Sequence, residues 1–218
     1  MEALNSVQTF AVWVLPVLFA ITVHEVAHGW AAMKLGDPTA KMLGRLTLNP
    51  VKHIDPIGTL LVPGFLTFVG GFIFGWAKPI PVNTRNLKDQ KWSPVWIALS
   101  GPAAMLLIST LSLAAFLGLG AVEEGSPAIA FHRLFQNMIQ LSAFLAFFHF
   151  LPLYPLAGGV LLSTLLPYEM RQKYEAIVIP YGTLIIIGLM LVGAFRYLGY
   201  LASFWIGLSN LLLSPFFN

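Results

Sequence analysis

The run from Phe10 to Met33 is apolar throughout except at His24, Glu25 and His28. About 20 such residues cross a bilayer's hydrocarbon as a helix, and comparable runs recur at about 94–119, 128–151 and 177–195. In hydrocarbon the backbone must satisfy its own hydrogen bonds, which long apolar segments do by forming helices. Composition agrees: the chain is 57% hydrophobic and 10% charged, against about 25% charged in ordinary soluble domains. A soluble protein with an oily core is a poor account of these values. The expected fold is an all-α polytopic membrane protein with about four to six transmembrane helices.

The segment from Ile57 to Trp76 is apolar but broken by Pro63, Gly64, Gly70, Gly71 and Gly75. Irregular backbone at membrane depth survives only where protein or water covers it, so a re-entrant or hairpin element is expected at about 57–76. Gly36-Asp37-Pro38 stops the first span, and Pro152 and Pro155 break the third, which resumes at 158–166. Pro167 to Lys173 reads as a polar turn, and 197–213 either spans or lies at the interface. No internal repeat is visible. The whole chain, 1–218, reads as one membrane-embedded domain with a core at 9–166 and C-terminal helices at 174–214. The first apolar run has no basic n-region and carries the His-Glu motif, so it is expected to be retained.

Orientation follows from the basic residues. If 57–76 dips in and returns, ten of the 12 Lys and Arg fall on one side, in the 34–56 and 78–91 loops and at Arg171 and Lys173. Arg133 and Arg196 fall on the other. The basic loops are expected to be cytoplasmic and the N-terminus outside. A full crossing at 57–76 would split the basic loops between the two faces.

His24-Glu25-Val26-Ala27-His28 carries the chemistry. Residues i and i+4 on a helix lie about 40° apart around the axis and roughly 6 Å apart along it, so both imidazoles can reach one ion. Glu25, one step round, can meet a water on that ion. This is the His-Glu-x-x-His arrangement of zinc metalloproteases. The alternative is that the three residues only hydrogen-bond between helices. Ionisable groups in a spanning segment cost a few kcal/mol each by rough estimate, and three within five residues call for something that offsets the cost. With no cysteine in the chain, disulfides, iron–sulfur clusters and thiolate sites are excluded, and any metal must use His, Asp, Glu or other oxygen donors. A catalytic zinc keeps three protein ligands and an open position, so a third ligand must come from elsewhere.

The run His24-Glu25-Val26-Ala27-His28-Gly29-Trp30, followed by Leu35-Gly36-Asp37-Pro38-Thr39-Ala40, resembles the site-2 protease family of intramembrane zinc metalloproteases in its small prokaryotic form. Further blocks add to the resemblance: Gly44-Arg45-Leu46-Thr47-Leu48-Asn49-Pro50, His53-Ile54-Asp55-Pro56-Ile57-Gly58-Thr59, Phe74-Gly75-Trp76-Ala77-Lys78-Pro79-Ile80-Pro81-Val82-Asn83 and Ser100-Gly101-Pro102. The resemblance spans residues 20 to about 166. It implies Zn2+ as cofactor, a prokaryotic cell membrane as location, and hydrolysis of peptide bonds in or near transmembrane segments of protein substrates, with no nucleic-acid partner. It also implies metal ligation by His24 and His28, catalysis by Glu25, and an extended hold on substrate near Gly70 and Gly71, with Asn83 shaping entry.

The second motif departs from the family pattern. Its third zinc ligand is an Asp, whose position in His149-Phe150-Leu151-Pro152-Leu153-Tyr154-Pro155-Leu156-Ala157-Gly158-Gly159 is Ala157. A family Asn corresponds to His149, and another to Met105. Two readings follow. Either His149 is the third metal ligand, or the chain is a catalytically inactive homologue that binds transmembrane partners. A transporter using the His and Glu as a proton relay is a third class, but it lacks the expected internal repeat. His53 and Asp55 read as loop-capping residues, and His132 as an interface residue without chemistry.

Overall fold

The computed structural model describes residues 6–62, 65, 75–120, 122–123, 126 and 128–217. These residues form helices and turns with no strand among them. The long elements are α1 (Ser6–Lys34), α3 (Ser93–Leu119), α4 (Ala128–His149), α6 (Tyr168–Leu191) and α7 (Arg196–Leu213). Between them lie two short helices, α2 (Thr39–Met42) and α5 (Ala157–Leu165). By length and composition α1, α3, α6 and α7 are able to cross a membrane. The final apolar segment is thus long enough to span.

α4 differs. Its 22 residues extend about 33 Å, yet Arg133, Gln136, Asn137 and Gln140 interrupt its apolar run, and it is not among the four candidate spans. It is accommodated by neighbours, packing against α1, α3 and α7. Small side chains bring these helices close, as is usual where no hydrophobic force acts between helices in lipid. Ala20 of α1, Met105 and Ile108 of α3, and Met138 and Ala146 of α4 form one buried cluster. Two polar contacts fix the register: Asn137 Nδ2 donates to the Val12 carbonyl at 2.7 Å, and Ser109 Oγ to that of Ile139 at 2.9 Å.

Most of the element expected at 57–76, including Gly70 and Gly71, lies outside the described residues. Its two ends are described, and they meet. The Trp76 amide donates to the Gly58 carbonyl at 3.1 Å, and Thr59 Oγ1 donates to the Trp76 carbonyl at 2.8 Å. The two ends therefore lie together, as expected of a re-entrant or hairpin element. Asp55 starts the descending end by accepting from the amides of Ile57 and Gly58, the capping role expected for it.

One expectation is corrected. The polar turn placed at Pro167–Lys173 is a single cap residue, because α6 begins at Tyr168. Pro167 precedes the helix, Glu169 sits in its first turn, and Arg171 pairs with Glu175 four residues on at 2.8 Å. Local pairing of this kind favours helix over turn. The same helix ends at Leu191 rather than Phe195, where Gly193 takes φ +72°.

Candidate metal centre

α1 delivers its motif as the i, i+4 spacing required. One donor atom from each of His24, Glu25 and His28 lies within 4.8 Å of the others, and the two imidazole centroids are 4.4 Å apart. His24 and Glu25 are 8% and 9% exposed. The Nε2 atoms of both histidines are buried without a hydrogen-bond partner. Buried polar atoms are normally satisfied, and the two orphans, with Glu25 beside them, form a group that could hold a metal ion.

α3 passes directly beside them. A Cβ on Gly101 would lie 2.4 Å from Nε2 of His24 and 2.4 Å from Nε2 of His28. Only glycine lets the α3 backbone pass this close to both imidazole nitrogens. The residues present fit zinc. Gly101 sits inside an apolar helix, where glycine costs about 1 kcal/mol relative to Ala. That cost was the available sequence signal that a close contact needs it.

Comparison with known proteins bears on the same residues. No family model and no solved structure matches the chain. Curated relatives of the chain carry the name "Putative zinc metalloprotease". YwhC of Bacillus subtilis (strain 168) is 38% identical over 163 residues, covering 73% of this chain and 71% of that one. Rip2 of Mycolicibacterium smegmatis is 27% identical over 219 residues, covering 97% and 80%. The chain belongs to the site-2 protease family of zinc metalloproteases.

In this family member the general-base candidate is held by a distant backbone group. The Ile80 amide donates to Glu25 Oε2 at 2.7 Å, in a buried contact bridging 55 positions. Glu25 Oε1 is 3.5 Å from His24 Nδ1. Ile80 belongs to an irregular strap over 75–83. Arg45 Nη2 donates to the Lys78 carbonyl at 2.9 Å, the Lys78 amide donates to the His53 carbonyl at 2.9 Å, and the Asn83 amide donates to Asp37 Oδ2 at 2.7 Å. Pro79 and Pro81 carry no amide hydrogen, so Ile80 is the lone donor at the strap's centre. These contacts give physical roles to three sequence blocks whose function the motif alone did not explain. No sequence rule pairs Ile80 with Glu25.

Other sequence candidates are placed as follows. His53 is fully buried, with Nε2 2.8 Å from the Thr47 carbonyl, and so serves the loop. Asn83 is exposed and its Oδ1 accepts from the Arg85 amide, capping a turn three residues beyond Ile80. His132 packs its ring on Phe116 at 4.1 Å. Asp37 ties the end of α1 to the strap's far end, accepting from Thr39, Asn86 and the Asn83 amide. Burial pushes its carboxyl upward, but those hydrogen bonds outweigh it and hold the group below its ordinary value.

The second motif enters from α4 and α5. His149 ends α4, and its ring centroid is 4.2 Å from that of His24. Its Nδ1 lies 2.7 Å from the Leu145 carbonyl. Ala157 opens α5 and is 4% exposed. The glycines after it are packing residues: a Cβ on Gly158 would lie 2.1 Å from the Phe150 carbonyl oxygen, and one on Gly159 2.6 Å from that of Leu153.

Proposed function

We propose that this chain is an intramembrane zinc metalloprotease that hydrolyses peptide bonds in or near the transmembrane segments of membrane proteins. The observation that carries the reading is the facing pair of unpartnered Nε2 atoms beside Glu25, inside a helix apolar enough to span. His24 and His28 hold the ion. Bound zinc supplies a Lewis acid that lowers the pKa of water and polarises the scissile carbonyl. Glu25 takes the proton of the attacking water and passes it to the leaving amine. The Ile80 amide keeps Oε2 engaged, leaving Oε1, on the His24 side, for proton transfer.

The arrangement sets the depth of the chemistry. His24 lies ten residues from the end of α1, about 15 Å along the helix, and Gly101 lies eight residues into α3, about 12 Å. With the basic loops cytoplasmic and the N-terminus outside, hydrolysis takes place within the membrane, close to the midplane of a hydrocarbon core about 30 Å thick. Gly70 and Gly71 are assigned to an extended hold on the substrate, by strand addition, and Asn83 to its entry side. Residues 1–218 act as one unit, with the core at 9–166.

The test is cleavage of a model transmembrane substrate in proteoliposomes by the wild type and Glu25→Gln. Loss of a general base costs about 10²–10⁴-fold in rate, and Glu25→Gln is expected to fall by that amount with its zinc retained. Equal rates in the two proteins would sink the assignment. Ala157 favours a second reading, a catalytically inactive homologue that holds transmembrane partners. That reading expects no cleavage by the wild type and cleavage gained in Ala157→Asp.

A further inference from the structure

We infer that His149 is the third protein ligand of the ion, so that the centre is built from three imidazoles. The inference rests on the metal-centre reading above and adds the ligand that reading lacks. A catalytic zinc requires three protein ligands, and α1 provides two. Ala157 has no donor atom. Glu25 is engaged with Ile80 and is needed as the base. Asp37 is enclosed by its own hydrogen bonds, Asp55 caps the 56–61 turn, His53 bonds Thr47, and His132 packs on Phe116. Among the described residues, His149 is the histidine outside α1 whose ring stands against the cluster, 4.2 Å from His24.

Its hydrogen bond decides which nitrogen is available. A carbonyl oxygen only accepts, so Nδ1, 2.7 Å from the Leu145 oxygen, carries the proton. The neutral ring then has its lone pair on Nε2. His149 is not part of the group that His24, Glu25 and His28 form within 4.8 Å, so ligation requires its ring to shift towards the ion. Metal-ligating histidines almost always donate the other ring N–H to a carbonyl or carboxylate, which sets tautomer and orientation. The Leu145 carbonyl already plays that part. Three neutral ligands also leave the ion's full double positive charge uncompensated, where two histidines and a carboxylate would neutralise part of it.

Because the chain contains no cysteine, ligation can be read spectroscopically without any catalytic assay. The purified full chain is loaded with Zn2+ for metal analysis or with Co2+ for absorption spectra. Expected is about one metal per wild-type chain. His149→Ala should lose affinity by more than the roughly 100-fold that removal of an outer-shell partner costs, at unchanged helicity by circular dichroism. In Co2+-loaded His149→Cys, the new thiolate should give a sulfur-to-cobalt charge-transfer band. Wild-type affinity in His149→Ala, or bound cobalt without that band in His149→Cys, would overturn His149 ligation while leaving the metal centre standing. No metal in the wild type, with His24→Ala no different, would overturn both. Ala157→Asp provides a further check, since a three-imidazole centre predicts that the wild type is already loaded without that carboxylate.

Discussion

The two halves of the metal centre are built on different logic. The α1 half is locally complete: two imidazoles and a carboxylate come from five consecutive residues. Gly101 lets α3 pass beside them, and the Ile80 amide holds Glu25. The half formed by α4 and α5 keeps its packing but not its carboxylate. Gly158 and Gly159 still let α5 lie against the carbonyls of 150–153, while the position before them is a methyl group. If His149 supplies the third ligand as inferred above, scaffold and ligation are separable in this fold. The glycines answer to backbone approach, which is steric, whereas a ligand need only reach the ion and can come from the preceding helix.

The largest effect should come from breaking the α1 half. His24→Ala is expected to abolish zinc binding and to lower cleavage by at least the 10²–10⁴-fold expected for loss of the base, read by metal analysis and substrate turnover. Retained zinc would mean that the α1 half is not the dominant one. Next comes a pair of glycines. In Gly101→Ala the new methyl meets both imidazoles, and in Gly182→Ala it meets the Tyr154 carbonyl oxygen at 2.2 Å. Overpacking of this kind costs about 1–3 kcal/mol, visible in thermal unfolding of both proteins. Only Gly101→Ala should also lose zinc. If Gly182→Ala loses it equally, the metal centre depends on the C-terminal packing as much as on α3.

Asp37→Asn tests the loop that holds the strap. Hydrogen bonds to a charged group contribute about 1.5–3 kcal/mol, and a loss of this size is expected at pH 7. The folded carboxyl titrates below its ordinary value, so its stabilisation is fully present above the unfolded pKa. It is lost as pH falls through that value towards the lowered folded one. Wild-type stability should converge on that of Asp37→Asn in acid, and a constant gap between the two from pH 7 to pH 3 would refute the assignment. Arg171→Ala, which breaks an exposed helical pair, should change stability by only about 0.2–0.5 kcal/mol and leave zinc untouched. That makes it the control for effects remote from both halves.

Much of this protein was legible in order along the chain. The apolar runs marked α1, α3, α4 and α6, since crossing hydrocarbon is a matter of length and composition. The α7 segment reads either as a span or as interfacial, and α4 is not among the candidate spans. The motif on α1 could be read because i, i+4 geometry is local to one helix. The meeting of the two ends of the 57–76 element agrees with a reading made from its proline and glycine breaks. The start of α6 was harder to read, because its first turn is polar and its helical support comes from side-chain pairing rather than apolar period.

What only the tertiary structure decided lies in contacts between distant segments. Gly101 opposite two imidazoles, the Ile80 amide on Glu25 and the His149 ring beside His24 each depend on the crossing and register of separate elements. Those are set by the packing of Ala20, Met105, Met138 and Ala146 and by the bonds from Asn137 and Ser109. A sequence states which donors a chain possesses. Which of them share one point in space is settled by how closely its helices can approach.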